Sequence, residues 1–175
     1  TQLRSDDISL LAGTSTGVCF CPTTERDLAD GIGPAGALAA NGVALSLGSD
    51  GHSVIDFFEE ARALELDERL ATHVRGTFGG VRLLEAATVA GHHALGWADA
   101  GQLAVGMRAD LVAVDLDSRR TAGGLVDAET VVFAASASDV TDVIVDGVAI
   151  VSERQHLRVN DIGEALRDAI DAVTD

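Results

Sequence analysis

Two short apolar runs, with one helical segment between them, constrain the fold of this chain most. The runs lie at residues 16–21 and 43–47 and have the composition of buried strands. Residues 34–42 open with a proline, continue with good helix formers and end in Asn-Gly, which is the pattern of a short helix. A strand, a helix and a second strand connected in this way predict a right-handed crossover between two parallel strands.

The remaining pattern divides the chain into a parallel α/β part and a β-rich part. Helices are predicted at residues 5–11, from about 53 to 70, at 81–94 and at 162–173. Strands are predicted at residues 111–114 and 131–135, and a hairpin at 143–151, where two apolar runs flank Asp-Gly. We therefore expect the parallel part to end near residue 95 and a mainly antiparallel part to follow.

The two helices after the second strand have distinct polar and apolar faces. Ser53 and Asp56 resemble a capping box at the start of the first of these helices. Its solvent face is predicted to carry Glu59, Glu60, Arg62 and Glu68. In the second helix, the adjacent His92 and His93 point in different directions, so they are expected to be structural.

A short polar turn, Gly48-Ser49-Asp50-Gly51-His52, leaves the second strand. Turns at the carboxyl ends of strands carry catalytic groups in α/β folds. An aspartate at the end of a buried strand is unfavourable unless a metal, a proton partner or a cation compensates its charge. Asp50 is therefore a candidate functional residue. Its alternative role is to cap the next helix or to close the turn, where Asp is also favoured.

The net charge limits which partners the chain is expected to bind, and the cysteine content indicates its cellular compartment. The formal net charge of −16 argues against nucleic acid and anionic membrane surfaces as partners. Cys19 and Cys21 alternate along the first strand and are expected to be buried free thiols of a cytoplasmic protein. Their Cys-x-Cys spacing is too short for the usual zinc sites, so these thiols are not predicted to bind metal.

Several motifs in the two parts resemble those of the amidohydrolase superfamily. They are Gly48-Ser49-Asp50 after a buried strand, Leu95-Gly96-Trp97, Gly101-Gln102-Leu103, the run GMRADLV at 106–112 and the hairpin at 143–151. The resemblance implies the last strands and helices of a metal-dependent (β/α)8 TIM barrel at residues 1–95. It also implies part of a composite β-sandwich domain at residues 96–160 and a C-terminal helix at 161–175.

Within the superfamily, the chain is most similar to formimidoylglutamate deiminases. The similarity rests on Cys21-Pro22-Thr23-Thr24-Glu25 with Leu28, on Asp30-Gly31-Ile32 and on the turn at 48–52. These iminohydrolases convert N-formimino-L-glutamate and water to N-formyl-L-glutamate and ammonia in histidine degradation. One departure is Gly51, where the family's motif has serine.

The resemblance implies a role for each polar residue at the two strand ends. Asp50 is expected to be a ligand of one divalent metal ion, zinc, and the general base that takes a proton from the metal-bound water. Ser49, His52, Thr24 and Glu25 are expected to contact substrate. The alternative role for Glu25 is to cap a helix, and the alternative for His52 is a place in the turn.

The other metal ligands of the family, histidines above all, have no match in this chain. We therefore expect the chain to be part of a larger enzyme and, alone, to show neither hydrolase activity nor tight zinc binding. The expected partners are a small-molecule substrate and the remainder of the same enzyme, which is expected to form a homodimer at full length. Two alternatives stay open: another amidohydrolase, acting on guanine, cytosine, a triazine or imidazolonepropionate, and a non-catalytic remnant that packs against partners.

Overall fold

A computed structural model describes residues 1–51 and 54–174 of the chain. The helices are α1 (Ser5–Ala12), α2 (Pro22–Asp27), α3 (Ala35–Ala40), α4 (Phe57–Thr72), α5 (Gly80–Ala87), α6 (Val89–Ala94), α7 (Ala128–Ala134) and α8 (Ile162–Thr174). The strands are β1 (Val18–Phe20), β2 (Leu45–Leu47), β3 (Leu111–Val114), β4 (Val140–Val145), β5 (Val148–Ser152) and β6 (Gln155–His156). None of these helices is long and apolar enough to cross a membrane.

Strands β1 and β2 are parallel neighbours, which confirms the predicted crossover. Val18 is paired with Leu45 and Phe20 with Leu47, and α3 lies between the two strands in the chain. Phe20, Leu45 and Leu47 are buried in one core with apolar side chains of α3, α4 and α5. Both strands are shorter than predicted: β1 begins at Val18 and ends before Cys21, which leads into α2, and β2 begins at Leu45 and ends at Leu47 as predicted.

The second half of the chain contains the predicted antiparallel sheet, with strand order β3-β4-β5-β6. The β4–β5 hairpin turns at Asp146 and Gly147, whose φ angles are 49° and 77°. Positive φ at both central residues is the turn geometry that matches the twist of the strands, which is why Asp-Gly predicted this hairpin correctly. Helix α8 also lies where the sequence predicts it, and the division into domains at residues 95 and 160 stays a prediction.

The strand predicted at residues 131–135 is wrong, because these residues belong to helix α7. The Asp127 carboxylate accepts a hydrogen bond of 2.8 Å from the Thr130 amide and caps the helix. Val132 is completely buried where α7 packs against α4 and α5. A run of β-branched residues favours a strand locally, but the cap and this packing stabilise the helix instead.

The single helix predicted at residues 81–94 is also wrong in detail. Thr88 has φ −124° and ψ −95°, outside the helical region, and it separates α5 from α6. The Thr88 hydroxyl donates to the Leu84 carbonyl, and the Thr88 carbonyl accepts from the His92 amide at 3.0 Å. The threonine therefore ends one helix and begins the next.

Helix α4 begins later than predicted, and its cap is Asp56. The Asp56 carboxylate accepts hydrogen bonds from the amides of Phe58 at 2.9 Å and Glu59 at 3.3 Å. Ser53, the other half of the predicted capping box, lies outside the described residues. Residues 22–25, for which no helix is predicted, begin helix α2 with Pro22 at its first position.

Three carboxylates of α4 are buried, and each accepts hydrogen bonds from a different segment. Glu68 accepts from the Gly36 amide at the start of α3, at 3.0 Å. Glu65 accepts from the amides of Gly76 and Phe78, both at 2.7 Å. Glu60, which is fully buried, accepts from the amide of Thr23 in α2 at 3.0 Å. The predicted solvent exposure of Glu60 and Glu68 is therefore wrong: backbone amides make their burial favourable.

The buried Glu65 carboxylate is expected to make stability sensitive to acid. Burial raises its pKa, but donation from Phe78, Arg69 and Gly76 outweighs burial and brings the pKa below its ordinary value of 4.5. Because the folded pKa is the lower one, Glu65 stabilises the fold above pH 4.5 and loses this contribution as the pH falls through the folded pKa. We expect Glu65→Gln to lower the free energy of unfolding at neutral pH by about 1–3 kcal/mol and to flatten its decline in acid.

Urea denaturation from neutral pH to below pH 4.5, the ordinary pKa of this carboxyl, measures both effects. Glu85→Gln is the matched control, because Glu85 is half-exposed and, among the described residues, pairs only with Arg82 on its own helix, at 3.3 Å. Equal losses of stability in the two variants would contradict the role of Glu65.

Candidate active site

The candidate site lies where the parallel strands β1 and β2 end side by side. The Gly48 amide donates a hydrogen bond of 2.9 Å to the Phe20 carbonyl, so the pairing continues one residue beyond β2. Ser49, Asp50 and Gly51 then leave β2, while Cys21 leaves β1 and leads into α2. The carboxyl ends of parallel strands are where α/β enzymes bind substrates, and the structure brings the predicted residues of both strands to this edge.

Asp50 occupies an exposed turn and has a left-handed backbone conformation, with φ +51°. This conformation is uncommon for residues with a side chain, although Asp adopts it more readily than most. The cap of α4 is Asp56, so capping the next helix is not the role of Asp50. The structure therefore places Asp50 at the ends of the strands, on a turn with a constrained backbone.

The hydroxyl of Thr24 supports this turn from the neighbouring strand. Its Oγ1 donates a hydrogen bond of 2.6 Å to the Ser49 carbonyl and accepts one of 2.9 Å from the Gly51 amide. The two bonded residues flank Asp50, and Thr24 itself is only 5% exposed. Thr24, predicted as a substrate contact, thus uses its hydroxyl on the backbone around Asp50.

The remaining predicted contacts differ in their surroundings. The Glu25 carboxylate accepts a hydrogen bond of 2.9 Å from the amide of Cys21, the residue before α2, so it binds the start of its own helix. Ser49 is half-buried, and its carbonyl is the group that Thr24 binds. His52, the fourth predicted contact, lies outside the described residues.

Two thiols lie directly below the turn. A methyl group on Gly48 would come within 3.1 Å of the Cys21 sulfur and 3.3 Å of the Cys19 sulfur, so both sulfurs face this glycine. Burial, the neighbouring Cys19 thiol that also hydrogen-bonds to it, and the charges of Asp50 and Glu25 raise the pKa of Cys21 to about 12. Cys19 is exposed in the described structure, so the expectation that both thiols are buried is wrong for Cys19.

Zinc is the metal that the resemblance implies, and the described residues alone do not fit it. A catalytic zinc ion takes about three protein ligands. Among residues 1–51 and 54–174, no three His, Cys, Asp or Glu side chains are arranged to hold a metal ion. Asp50 is a single carboxylate and cannot supply these ligands alone.

The sequence did not identify the residues that support the site from the interior of the chain. Glu60 binds the amide and the hydroxyl of Thr23, next to Thr24. Glu60 is a charged residue next to Glu59 on a helix, which is typical of a solvent-facing position. The local sequence therefore does not indicate that it is buried. Gly48 could have been identified, since a glycine opposite two cysteines on a paired strand leaves room for their sulfurs.

Two parallel strands with a carboxylate at their carboxyl ends match the edge at which α/β barrels place their active sites. The chain belongs to the Amidohydrolase family, whose sequence profile matches residues 2–150. One structural neighbour, described below, was solved with bound zinc.

Individual relatives agree with this assignment. A 5-methylthioadenosine/S-adenosylhomocysteine deaminase of Pelotomaculum thermopropionicum is 32% identical over 91% of this chain and 38% of its own length. An adenosine deaminase from Xanthomonas campestris, solved with bound zinc, has a TM-score of 0.91 and 31% identity over 98% of this chain and 40% of its own. An amidohydrolase from Brucella melitensis has a TM-score of 0.83 and 28% identity over all of this chain and 40% of its own. The chain thus spans well under half the length of these proteins.

The two thiols are expected to differ in reactivity. In metal-free protein at pH 8, Cys19 should be alkylated by iodoacetamide at least about tenfold faster than Cys21, because thiolate is the reactive form and Cys21 holds its proton. Peptide mass spectrometry over a time course measures both rates, with Cys19→Ser and Cys21→Ser as matched controls. Equal rates for the two residues would contradict the raised pKa of Cys21.

Proposed function

We propose that the protein is a metal-dependent deaminase that hydrolyses a C–N bond at an amidine-type carbon, with Asp50 in its active site. The observation that carries this proposal is the position of Asp50: in a chain of the Amidohydrolase family, it is the carboxylate presented at the carboxyl end of a parallel strand. In the net reaction, water adds to the carbon and the amino group leaves as ammonia.

We assign two functions to Asp50, both within the enzyme as a whole. Its carboxylate is one ligand of zinc and accepts a proton from the attacking water. The other ligands come from parts of the enzyme other than residues 1–51 and 54–174, since those residues provide no complete metal site. Zinc, when bound, would supply a positive charge that lowers the pKa of water.

Two substrates with an amidine carbon are candidates. Relatives named 5-methylthioadenosine/S-adenosylhomocysteine deaminase favour the amino-bearing carbon of an adenine ring. The run Cys21-Pro22-Thr23-Thr24-Glu25, with Asp30-Gly31-Ile32, favours N-formimino-L-glutamate and hence a step in histidine degradation. The two reactions share the same chemistry and differ only in the group attached to the carbon.

Substrate profiling of the full-length enzyme distinguishes the candidates. Ammonia release is measured with 5-methylthioadenosine, S-adenosylhomocysteine and N-formimino-L-glutamate. Guanine and cytosine test the sibling deaminases by the same readout. Loss of substrate absorbance tests a triazine and imidazolonepropionate, whose hydrolysis does not have to release ammonia. The proposal predicts that 5-methylthioadenosine, S-adenosylhomocysteine or N-formimino-L-glutamate is turned over with the highest kcat/KM. Absence of turnover with every substrate, in zinc-loaded protein, would contradict the proposal and favour a non-catalytic chain.

Replacing Asp50 tests its assigned role. Asp50→Asn keeps the shape of the side chain but removes its charge and basicity, so we expect kcat/KM of the full-length enzyme to fall on the order of 10³-fold. The matched control is Asp6→Asn on the exposed side of α1, which we expect to leave kcat/KM unchanged. An Asp50→Asn enzyme with full activity would remove Asp50 from the mechanism.

The chain of 175 residues is expected to be inactive by itself and to lose zinc on dialysis, since a single carboxylate holds zinc weakly. Tight zinc retention by this chain alone would contradict that expectation. We also propose that the full-length enzyme forms a homodimer and is located in the cytoplasm.

A further inference from the structure

A buried hydroxyl beside the candidate site binds backbone rather than facing open space. Thr24 Oγ1 donates its one proton to the Ser49 carbonyl at 2.6 Å and accepts from the Gly51 amide at 2.9 Å. These bonds connect α2, which follows β1, to the two peptide groups that flank Asp50. We infer that Thr24 is a positioning residue for Asp50: its hydroxyl fixes the turn that aims the carboxylate. This inference rests on the proposed function of Asp50.

The turn that these bonds hold has an uncommon backbone conformation. Asp50 has φ +51°, which few residues with a side chain adopt, although Asp does so more readily than most. The next residue is Gly51, where an added methyl group would lie 3.3 Å from the Thr24 hydroxyl and 3.5 Å from its methyl group. Thr24 therefore packs closely against Gly51, where a larger residue would require a small shift of its side chain.

Thr24 is itself held in place from the other side. The neighbouring Thr23 donates from its amide at 3.0 Å, and from its hydroxyl, to the buried Glu60 of α4. Pro22 is fully buried, and Glu25 binds the Cys21 amide at 2.9 Å. The first turn of α2 is thus anchored on both sides, so the Thr24 hydroxyl has a fixed position from which to orient the turn.

A valine at position 24 removes the hydroxyl and keeps the shape of the side chain, while a serine keeps the hydroxyl. In the full-length, zinc-loaded enzyme we expect Thr24→Val to lower kcat by about 10- to 100-fold with KM within about threefold, because substrate binding is retained and the base is misplaced. Thr24→Ser should keep kcat within about threefold of the parent enzyme. The Gly51 amide should exchange with solvent faster in Thr24→Val and at the parent rate in Thr24→Ser.

Thr121→Val is the control for a merely structural effect. It removes an equally buried hydroxyl, which donates to the Asp115 carbonyl and accepts from the Ser118 amide, both at 3.1 Å, and has no contact with the Asp50 turn. We expect Thr121→Val to lower Tm at least as much as Thr24→Val does while kcat stays within about threefold. A Thr24→Val enzyme with parent kcat, or a Thr24→Ser enzyme as slow as Thr24→Val, would overturn the inference.

The readouts also separate this inference from the proposed function. If Asp50→Asn is fully active, the function assigned to Asp50 is wrong, whatever the exchange rate of the Gly51 amide. If Asp50→Asn is inactive but Thr24→Val raises KM instead of lowering kcat, Asp50 keeps its function. In that case Thr24 contacts substrate and does not position the base.

Discussion

The arrangement of the α/β part depends on buried carboxylates of one helix. Glu60, Glu65 and Glu68 of α4 accept hydrogen bonds from α2, from the 76–78 segment and from α3. A buried carboxylate is strongly unfavourable without such partners, so each bond fixes the segment that supplies it. Apolar contacts pack these segments against α4. The hydrogen bonds to the carboxylates fix the position of each segment along the helix.

This constraint reaches the candidate site through a short series of contacts. Glu60 holds Thr23, the next residue is Thr24, and its hydroxyl binds both sides of Asp50. The catalytic geometry that we propose is therefore fixed by the interior of the chain and not by the exposed turn alone. Placing a functional side chain on a turn that is supported by buried hydrogen bonds gives the precise position that proton transfer needs.

Local sequence signals were sufficient where the chain itself fixes the conformation. The Asp-Gly turn predicted the β4–β5 hairpin, and alternating strand and helix patterns predicted the β1–β2 crossover. The signals failed where contacts between distant segments decide, as at Val132, whose burial against two helices overrides strand propensity. At the site, the position of Asp50 followed from the sequence. The contact of Thr24 with the turn did not, because it joins residues 25 to 27 positions apart.

The most direct test of the account is the distance between Asp50 and the metal. A crystal structure of the full-length protein loaded with zinc gives this distance, and anomalous scattering identifies the metal. The account predicts a carboxylate oxygen of Asp50 at about 2.0–2.2 Å from zinc, with the Thr24 hydroxyl still bound to the turn. A zinc ion held entirely by other side chains, with Asp50 more than about 4 Å away and thus beyond any ligand bond, would contradict it.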